Sequence, residues 1–165
     1  MLKINFFLLV VMLAACSPLT AESPQNVDYL SFVEGYLIEN IGIASFGGQV
    51  FCSYEVLDTK PENVNVDVYV WALCEEYDLV DNSLEMGTGS SLPVALHLQR
   101  VESEYRLLSY EVPKDGTGYG PSIQVIFPQI AIERMCIGNT DCYNQRAERL
   151  EYENEQKARE YYDIK

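Results

Sequence analysis

The stretch VNVDVYVWALCEEYDLV, residues 64–80, decides the fold that this sequence predicts. Aliphatic side chains occupy every second position at its start, and a period of two with many β-branched and aromatic residues predicts a strand. Alternation divides this strand into an aromatic face and an aliphatic face. The aromatic face comprises Tyr69, Trp71, Leu73 and Tyr77, and the aliphatic face comprises Val66, Val68, Val70, Ala72 and Cys74. We expect a helix to pack on the aliphatic face.

Further strand patterns flank this one on both sides. Residues 49–59 (QVFCSYEVLDT) precede it across a Lys-Pro-Glu-Asn turn, and Asp81-Asn82 closes the hairpin that follows it. Two more strands are predicted at 91–99 (SLPVALHLQ) and, after the polar turn Glu102-Ser103-Glu104, at 105–112 (YRLLSYEV). The sequence therefore predicts a four-stranded antiparallel meander.

Helical patterns lie before and after the strands. Residues 26–43 (NVDYLSFVEGYLIENIGI) space their apolar side chains by three or four, which predicts an amphipathic helix with Asn26 as its N-cap. Residues 121–135 predict two short helices separated by Pro128, and 143–162 predict a highly charged helix. Its weak apolar positions are Tyr143, Ala147, Leu150 and Tyr161. The expected class is α+β, with the N-terminal helix packed on the meander sheet.

This layout resembles the cystatin-like and NTF2-like folds, in which a helix packs across one face of a curved antiparallel sheet. Three segments, VYVWALCEEY (68–77), GTGSSLPVALHL (87–98) and YEVPKDGTGYGPSIQVIFP (110–128), also resemble a family of small exported bacterial domains without known function. The second resemblance covers about half of the chain. It implies no catalytic residues.

Two glycine-rich segments raise the question of a phosphate site. A phosphate-binding loop needs a strand before it and a helix N-terminus after it, so that free N–H groups point at the anion. Gly87-Thr88-Gly89 leads into a strand instead, which predicts a bulge or bend in a long hairpin. Gly116-Thr117-Gly118 does precede a helix, yet Asp115-Gly116 is typical of a turn that leaves a strand. We interpret both segments as bends, with an anion site at 116–118 as the less favoured alternative.

The N-terminus, MLKINFFLLVVMLAACSPLT, has the pattern of an export signal: Lys3 precedes an apolar run too short to cross a bilayer. Its LAAC at 13–16 resembles the bacterial lipobox, and this resemblance implies cleavage before Cys16 and acylation of that cysteine. Ser17, by the sorting rule of the lipoprotein family, implies an outer membrane lipoprotein that faces the periplasm. The alternative is an ordinary secretory signal with Cys16 as a plain thiol.

These patterns divide the chain into four parts: a signal peptide at 1–15, a lipidated tether at 16–26, the α+β domain at 27–135, and a disulfide loop with a charged C-terminal helix at 136–165. The 165-residue chain has a formal net charge of −14, and removal of Lys3 with the signal leaves ten basic against 25 acidic residues, or −15. Such a surface repels nucleic acid and anionic lipid headgroups. The expected partners are the membrane, through the lipid on Cys16, and an envelope protein or small ligand.

Four cysteines remain in the mature part, and an even number in an exported protein favours disulfides. A hairpin that folds about Asn63 places Cys52 opposite Cys74. Cys136 and Cys142 enclose a short loop that contains the turn-forming Gly138-Asn139. We therefore predict the pairs Cys52–Cys74 and Cys136–Cys142, with two reduced, buried thiols as the alternative for the first pair.

Catalytic signals are weak. His97, the one histidine, alternates with leucines in a strand and has no partner nucleophile in the sequence, so we interpret it as a polar-face residue. Acidic side chains crowd one hairpin at Glu75, Glu76, Asp78, Asp81 and Glu85. Their spacing matches no calcium loop, which favours a solvated acidic surface. No metal and no cofactor are expected.

A non-catalytic binding or assembly module is the function that the sequence favours. Tyr69, Trp71 and Tyr77 are the expected binding residues, because aromatic side chains with polar tips are enriched at interfaces. The alternative is that they pack beneath the 121–135 segment. The charged C-terminal helix is a second expected interaction surface. The competing functions are an NTF2-like enzyme with a pocket between helix and sheet, and an inhibitor or accessory subunit of an envelope enzyme.

Overall fold

The structure is a computed structural model that describes residues 29–102 and 104–164. Its elements are helix α1 (Tyr29–Asn40), strands β1 (Gln49–Glu62), β2 (Asn65–Val80), β3 (Ser83–Val101) and β4 (Glu104–Glu111), a 3₁₀ helix (Gly116–Gly118), and helices α2 (Tyr119–Ile126), α3 (Gln129–Arg134) and α4 (Thr140–Tyr161). The strands form one sheet in the order β1-β2-β3-β4, and all three pairs are antiparallel. The α+β class with a four-stranded antiparallel meander is therefore confirmed. The signal peptide, the tether, Asn26 and Cys16 lie outside the described residues.

The turns form where the sequence places residues that tolerate a left-handed backbone. Asp81 and Asn82 have φ of 50° and 64°, the conformation that a two-residue type I′ hairpin requires, and Asn63 has φ of 57° in the preceding turn. Strand β3 begins at Ser83, so the predicted start at residue 91 was wrong. The glycines do not end pairing, because β3 accommodates them in a bulge opposite Glu75 and Tyr77.

Helix α1 packs on the aliphatic face of β2. Val33 and Leu37 are fully buried against a cluster contributed mainly by β2 and β3. The members from those two strands are Val66, Val68, Val70, Ala72, Cys74, Val94, Leu96 and Leu98. Residues four apart share one face of the helix, and residues two apart share one face of a strand. The apolar residues of both elements therefore meet in a continuous layer between α1 and the sheet.

Helices α2, α3 and α4 cover the opposite, aromatic face. Ile123, Phe127, Ala131, Met135 and Leu150 pack against β2 on this side. Helix α4 buries Arg146, Leu150, Asn154 and Ala158, a stripe of residues four apart, and of the predicted apolar positions only Leu150 belongs to it. The sequence pattern is weak because half of that stripe is polar. Helix α4 therefore contributes to the same core as the sheet.

The two edges of the sheet differ. At β1, Lys157 Nζ of α4 donates to the Cys52 carbonyl (2.6 Å) and contacts Glu34 Oε1 of α1 (2.7 Å), while Arg134 Nη1 donates to the Leu57 carbonyl (2.7 Å). Along 104–111, by contrast, no side chain from the described part of the chain hydrogen-bonds to the outer backbone of β4. One edge is thus covered from both faces of the sheet, and the other is left open by residues 29–102 and 104–164.

Both predicted cysteine pairs lie at disulfide distance, with Cα–Cα separations of 4.1 Å for Cys52–Cys74 and 5.6 Å for Cys136–Cys142. The first pair depends on a bulge. The turn pairs Glu62 with Asn65, and this register, if continued, would place Cys52 opposite Glu75. An extra residue in β1 at Leu57 shifts the register by one, which brings Cys52 opposite Cys74 on the α1 face.

None of the helices between residues 29 and 164 is long and apolar enough to span a membrane.

Candidate functional site

The expected aromatic platform is buried. Tyr69, Trp71 and Tyr77 are only 5%, 7% and 7% exposed, because the C-terminal helices lie over this face of the sheet. Trp71 Nε1 donates to Ser91 Oγ at 3.0 Å, and its ring lies 5.2 Å from the Arg146 guanidinium. Burial, with the Asp67 carboxylate nearby, raises the pKa of Tyr69 to about 12. Tyr69 and Trp71 pack beneath the 121–135 segment, as the alternative predicted, whereas Tyr77 packs beneath α4 with Ala158.

Two residues of the expected acidic surface, Glu75 and Glu76, are buried. Glu75 and Glu76 are 4% and 1% exposed, whereas Asp81 and Glu85 are exposed as expected. The two buried glutamates point to opposite faces of β2 because they are neighbours in a strand. The sequence did contain a signal for this burial: both glutamates lie within a strand whose two faces are otherwise apolar.

Glu76 binds the loop that connects α1 to β1. Its Oε1 accepts from the backbone N–H groups of Phe46 (2.9 Å) and Gly48 (2.8 Å), and its Oε2 accepts from Ser45 N–H (2.9 Å). Thr88 in the β3 bulge donates to Oε2 from its hydroxyl (2.8 Å) and its N–H (3.3 Å). Burial by itself raises the pKa of this carboxyl, but the hydrogen bonds from Ser45, Thr88, Gly48 and Phe46 together lower it to about 2.

This arrangement gives Gly87-Thr88-Gly89 a role in anion binding after all, although the anion is the chain's own carboxylate. A Cβ on Gly87 would lie 2.8 Å from Glu76 Oε2, and a Cβ on Gly48 would lie 2.5 Å from the Tyr77 carbonyl oxygen. Both glycines therefore permit close approach around the carboxylate. The site is filled by Glu76, so it leaves no room for an external phosphate at 87–89.

Glu75 lies beneath α4. Its Oε2 accepts from Asn154 Nδ2 (3.0 Å) and from the Tyr77 hydroxyl (3.3 Å). Burial raises the pKa of Glu75, the two hydrogen bonds oppose that rise, and the negative charge of Glu151 adds to it. A buried carboxyl is thus present on the aromatic face of the sheet.

An open groove of about 580 Å³ lies between the end of β4 and helix α2. Its walls are mainly apolar and comprise Tyr110, Val112, Pro121, Val125 and Ile126, with Glu111 and Lys114 as the charged members. Val125 is 85% exposed. The Lys114 N–H donates to Ser122 Oγ at 3.0 Å, and this bond fixes the segment after β4 against α2. The groove therefore has one wall of strand and one wall of helix.

His97 contacts Glu111, which lines this groove. Its Nδ1 is 2.7 Å from Asp67 Oδ1, and its Nε2 is 3.3 Å from Glu111 Oε2. A histidine between two carboxylates is held in orientation from both ring nitrogens. Hydroxyl and thiol groups of the described residues make no hydrogen bond to His97, so this cluster lacks the nucleophile of a triad. The polar interpretation of His97 fits, and its carboxylate partners were not visible in the sequence.

The 3₁₀ helix at Gly116–Gly118 places Gly118 against the Lys114 side chain, and its N-cap Asp115 makes no side-chain capping bond.

Within residues 29–102 and 104–164, no group of three or more His, Cys, Asp or Glu side chains has an arrangement that fits a metal ion. Comparison of the chain with protein-family models, with curated proteins and with solved structures finds no match.

Proposed function

We propose that this protein is a lipid-anchored envelope protein that binds an extended segment of another envelope protein in the groove between β4 and α2. The observation that carries the proposal is the edge of β4, which the described residues leave open beside an apolar groove, in a sheet whose other edge is covered. Exposed strand edges promote aggregation, and proteins usually protect them. An edge left open beside a shaped groove is suited to strand addition by a partner.

The groove offers the two kinds of contact that strand addition uses. Unpaired backbone groups at the end of β4 would hydrogen-bond to the partner's main chain, and the apolar wall from Val112, Val125 and Ile126 would receive alternate side chains. The bulge at Leu108 interrupts the β4 ladder, so the segment that serves pairing is the one from Ser109 to Val112. The Lys114 ammonium at the groove would favour an acidic side chain or a terminal carboxylate.

The anchor is part of the same proposal. Acylation of Cys16 would hold the chain at the outer membrane, because several buried acyl chains contribute about 0.8 kcal/mol per methylene. Two cysteine pairs at disulfide distance agree with an oxidising compartment. A net charge of −14 does not favour nucleic acid as a partner.

Lipidation is tested by mass spectrometry of the mature N-terminus. We expect a chain that begins at Cys16 with acyl groups attached, and a Cys16→Ser variant that leaves the detergent fraction. Recovery of that variant with the membrane would contradict the anchor.

Groove binding is tested by placing a photo-crosslinking amino acid at position 125 and, as a matched control, at Val64, another exposed valine. We expect position 125 to crosslink to one envelope protein within a defined extended segment, and position 64 to give no such product. A synthetic peptide of that segment should then bind the unsubstituted protein, and binding should be lost in Val125→Asp and retained in Val64→Asp. Equal crosslinking at both positions, or equal peptide affinity for both variants, would contradict the proposal.

A further inference from the structure

We propose that Cys136–Cys142 is a redox-active disulfide that exchanges with the thiols of a substrate protein, whereas Cys52–Cys74 is structural. This activity goes beyond binding in the β4–α2 groove and uses none of the groove's residues. Four observations support it: access to sulfur, a buried cation beside Cys136, the position of Cys142 on α4, and the contrast with the other disulfide.

The disulfide adjoins a surface hollow. A cavity of about 240 Å³ is lined by Cys136 together with Trp71, Met135, Ile137 and Tyr143, and by residues 138–140. Ile137 and Tyr143 are 62% and 42% exposed although they are apolar or aromatic. Cys142 is partly exposed and Cys136 is buried. A substrate side chain in this hollow would lie beside the disulfide, whose more exposed sulfur is that of Cys142.

Arg146 supplies a positive charge at the sulfur that would leave. Its Nη2 lies 3.3 Å from Cys136 Sγ, and its guanidinium lies over the Trp71 ring. The side chain is 4% exposed, and its Nε is buried without a hydrogen-bond partner in the described residues. A thiolate next to a buried guanidinium is stabilised, which makes Cys136 a good leaving group.

The charged groups that face this position are of both signs. Glu55 Oε1 accepts from Arg146 at 2.9 Å, so one carboxylate competes for the guanidinium. Arg149 also contacts Glu55, and it pairs with Glu153 Oε1 at 3.2 Å, so two arginines face two carboxylates. The backbone carbonyls of Arg134 and Met135 accept from Arg146 as well, and Asp141 is the acidic neighbour in the first turn of α4. Arg146 is therefore held in place by one carboxylate and two backbone carbonyls, with its Nη2 beside Cys136 Sγ.

Cys142 occupies the third position of α4, a helix of 22 residues. Asn139 caps this helix, and its Oδ1 accepts from Cys142 N–H at 3.1 Å. Thiolates at helix N-termini are stabilised by the unpaired N–H groups and the helix dipole. Both sulfurs of this pair are thus in surroundings that stabilise the reduced, thiolate form, and stabilisation of that form makes a disulfide a stronger oxidant.

The Cys52–Cys74 pair has neither an exposed sulfur nor a group that would stabilise a thiolate. Its cysteines are 0% and 1% exposed in the α1 face of the sheet. Among the described residues, the polar neighbour of its sulfurs is the Leu37 carbonyl, 3.8 Å from Cys74 Sγ, which would not stabilise an anion. This disulfide is an internal control within the same chain.

The exchange has two steps. A substrate thiolate attacks Cys142 Sγ, the Cys136–Cys142 bond breaks, and Cys136 leaves as a thiolate beside Arg146. The substrate's second thiolate then attacks the substrate sulfur of this mixed disulfide, and Cys142 leaves as a thiolate at the N-terminus of α4. The substrate dithiol is oxidised to a disulfide and loses two protons and two electrons, and the chain is reduced to the Cys136/Cys142 dithiol.

The test equilibrates the full-length protein in glutathione buffers of graded redox ratio and counts free thiols at each pair by differential alkylation and mass spectrometry. We expect Cys136/Cys142 to be reduced in buffers that leave Cys52/Cys74 oxidised. Arg146→Gln should shift the equilibrium of the first pair toward the disulfide by about tenfold or more, and Arg146→Lys, which keeps the charge, should shift it less. Reduction of both pairs in the same buffer, or an unchanged equilibrium in folded Arg146→Gln, would overturn the proposal.

A second measurement covers the case in which the Arg146 variants do not fold. In Cys142→Ser, the rate of alkylation of Cys136 as a function of pH gives the pKa of its thiol, which we expect to lie below the ordinary value of about 8.5. Ile137→Gln should slow oxidation of a peptide dithiol without changing the glutathione equilibrium, and Ile130→Gln, at an exposed isoleucine outside the hollow, should change neither. A Cys136 pKa at or above about 8.5 would overturn the proposal.

Discussion

Glu75 and Glu76 are adjacent in one strand, both are buried, and their pKa values move in opposite directions. Glu76 faces the loop after α1, where backbone N–H groups converge on it. Glu75 faces α4, where its hydrogen-bond donors are one side-chain amide and one phenol. Backbone N–H groups on a fixed loop stabilise the anion more than burial disfavours it, whereas two side-chain donors do not. What covers each face of the sheet, and not the residue type, decides whether the pKa of each glutamate is lowered or raised.

The two glutamates consequently make opposite contributions to stability as pH changes. The folded pKa of Glu76 is depressed, so its contribution is present above the unfolded pKa of about 4.3 and is lost as pH falls toward 2. The folded pKa of Glu75 is raised, so its contribution is present below about 4.3 and is lost as pH rises through its folded pKa. The following experiments test this contrast, in order of decreasing expected effect.

The largest effect on stability should come from disrupting the packing of the C-terminal helices on the face of the sheet that carries Glu75. Trp71→Ala removes a side chain that lies between β2 and the C-terminal helices and contacts Arg146 and Tyr143. We expect a loss of about 3–5 kcal/mol in the free energy of unfolding, the cost of truncating a large core aromatic. Urea denaturation measures it. A loss of less than about 1 kcal/mol would mean that Trp71 is not core and would restore the aromatic platform.

Removing the charge of Glu76 should have the next largest effect. Glu76→Gln loses an anion that accepts from three backbone N–H groups and from Thr88, so the loop at 41–48 should open more often. Hydrogen exchange at Ser45, Phe46 and Gly48 should accelerate by about tenfold or more at pH 7. The difference in stability from the unsubstituted protein should shrink as pH falls from about 4 toward 2. Unchanged exchange at these amides would contradict the assignment.

A smaller effect should come from crowding the same carboxylate. Gly87→Ala would place a Cβ 2.8 Å from Glu76 Oε2, which its hydrogen bonds prevent from moving aside, so we expect a cost of about 1–3 kcal/mol. Gly89→Ala is the matched control, since its Cβ would meet nothing closer than 3.7 Å. Thermal unfolding of both variants measures the difference. Equal melting temperatures would show that Glu76 does not fill the space beside Gly87.

The smallest effect, and one of opposite sign, is expected for Glu75. Glu75→Gln keeps an acceptor for Asn154 and removes the buried charge, so the variant should be slightly more stable than the unsubstituted protein at pH 7. The two proteins should converge below about pH 4, where Glu75 is protonated. Urea midpoints at pH 7 and pH 4 provide the measurement. A variant that is less stable at pH 7 would reverse the contrast between the two glutamates.

The sequence by itself determined the local elements. Alternation in 64–80 defined β2 and its two faces, Asp81-Asn82 defined a hairpin turn, and Pro128 separated α2 from α3. These features follow from periodicity and backbone preference, which are local properties of the chain. The cysteine pairing was also predicted, although the predicted register was reached only through the bulge at Leu57.

Only the tertiary structure decided which surfaces are covered. Asn154 and Arg146 resemble exposed polar residues of a charged helix, and they become core because α4 packs on the face of β2 that carries Glu75 and Trp71. Glu76 resembles a surface acid, and it becomes a buried anion because residues from a distant loop direct their N–H groups toward it. Burial and hydrogen bonding depend on residues far apart in the chain, so no local pattern encodes them.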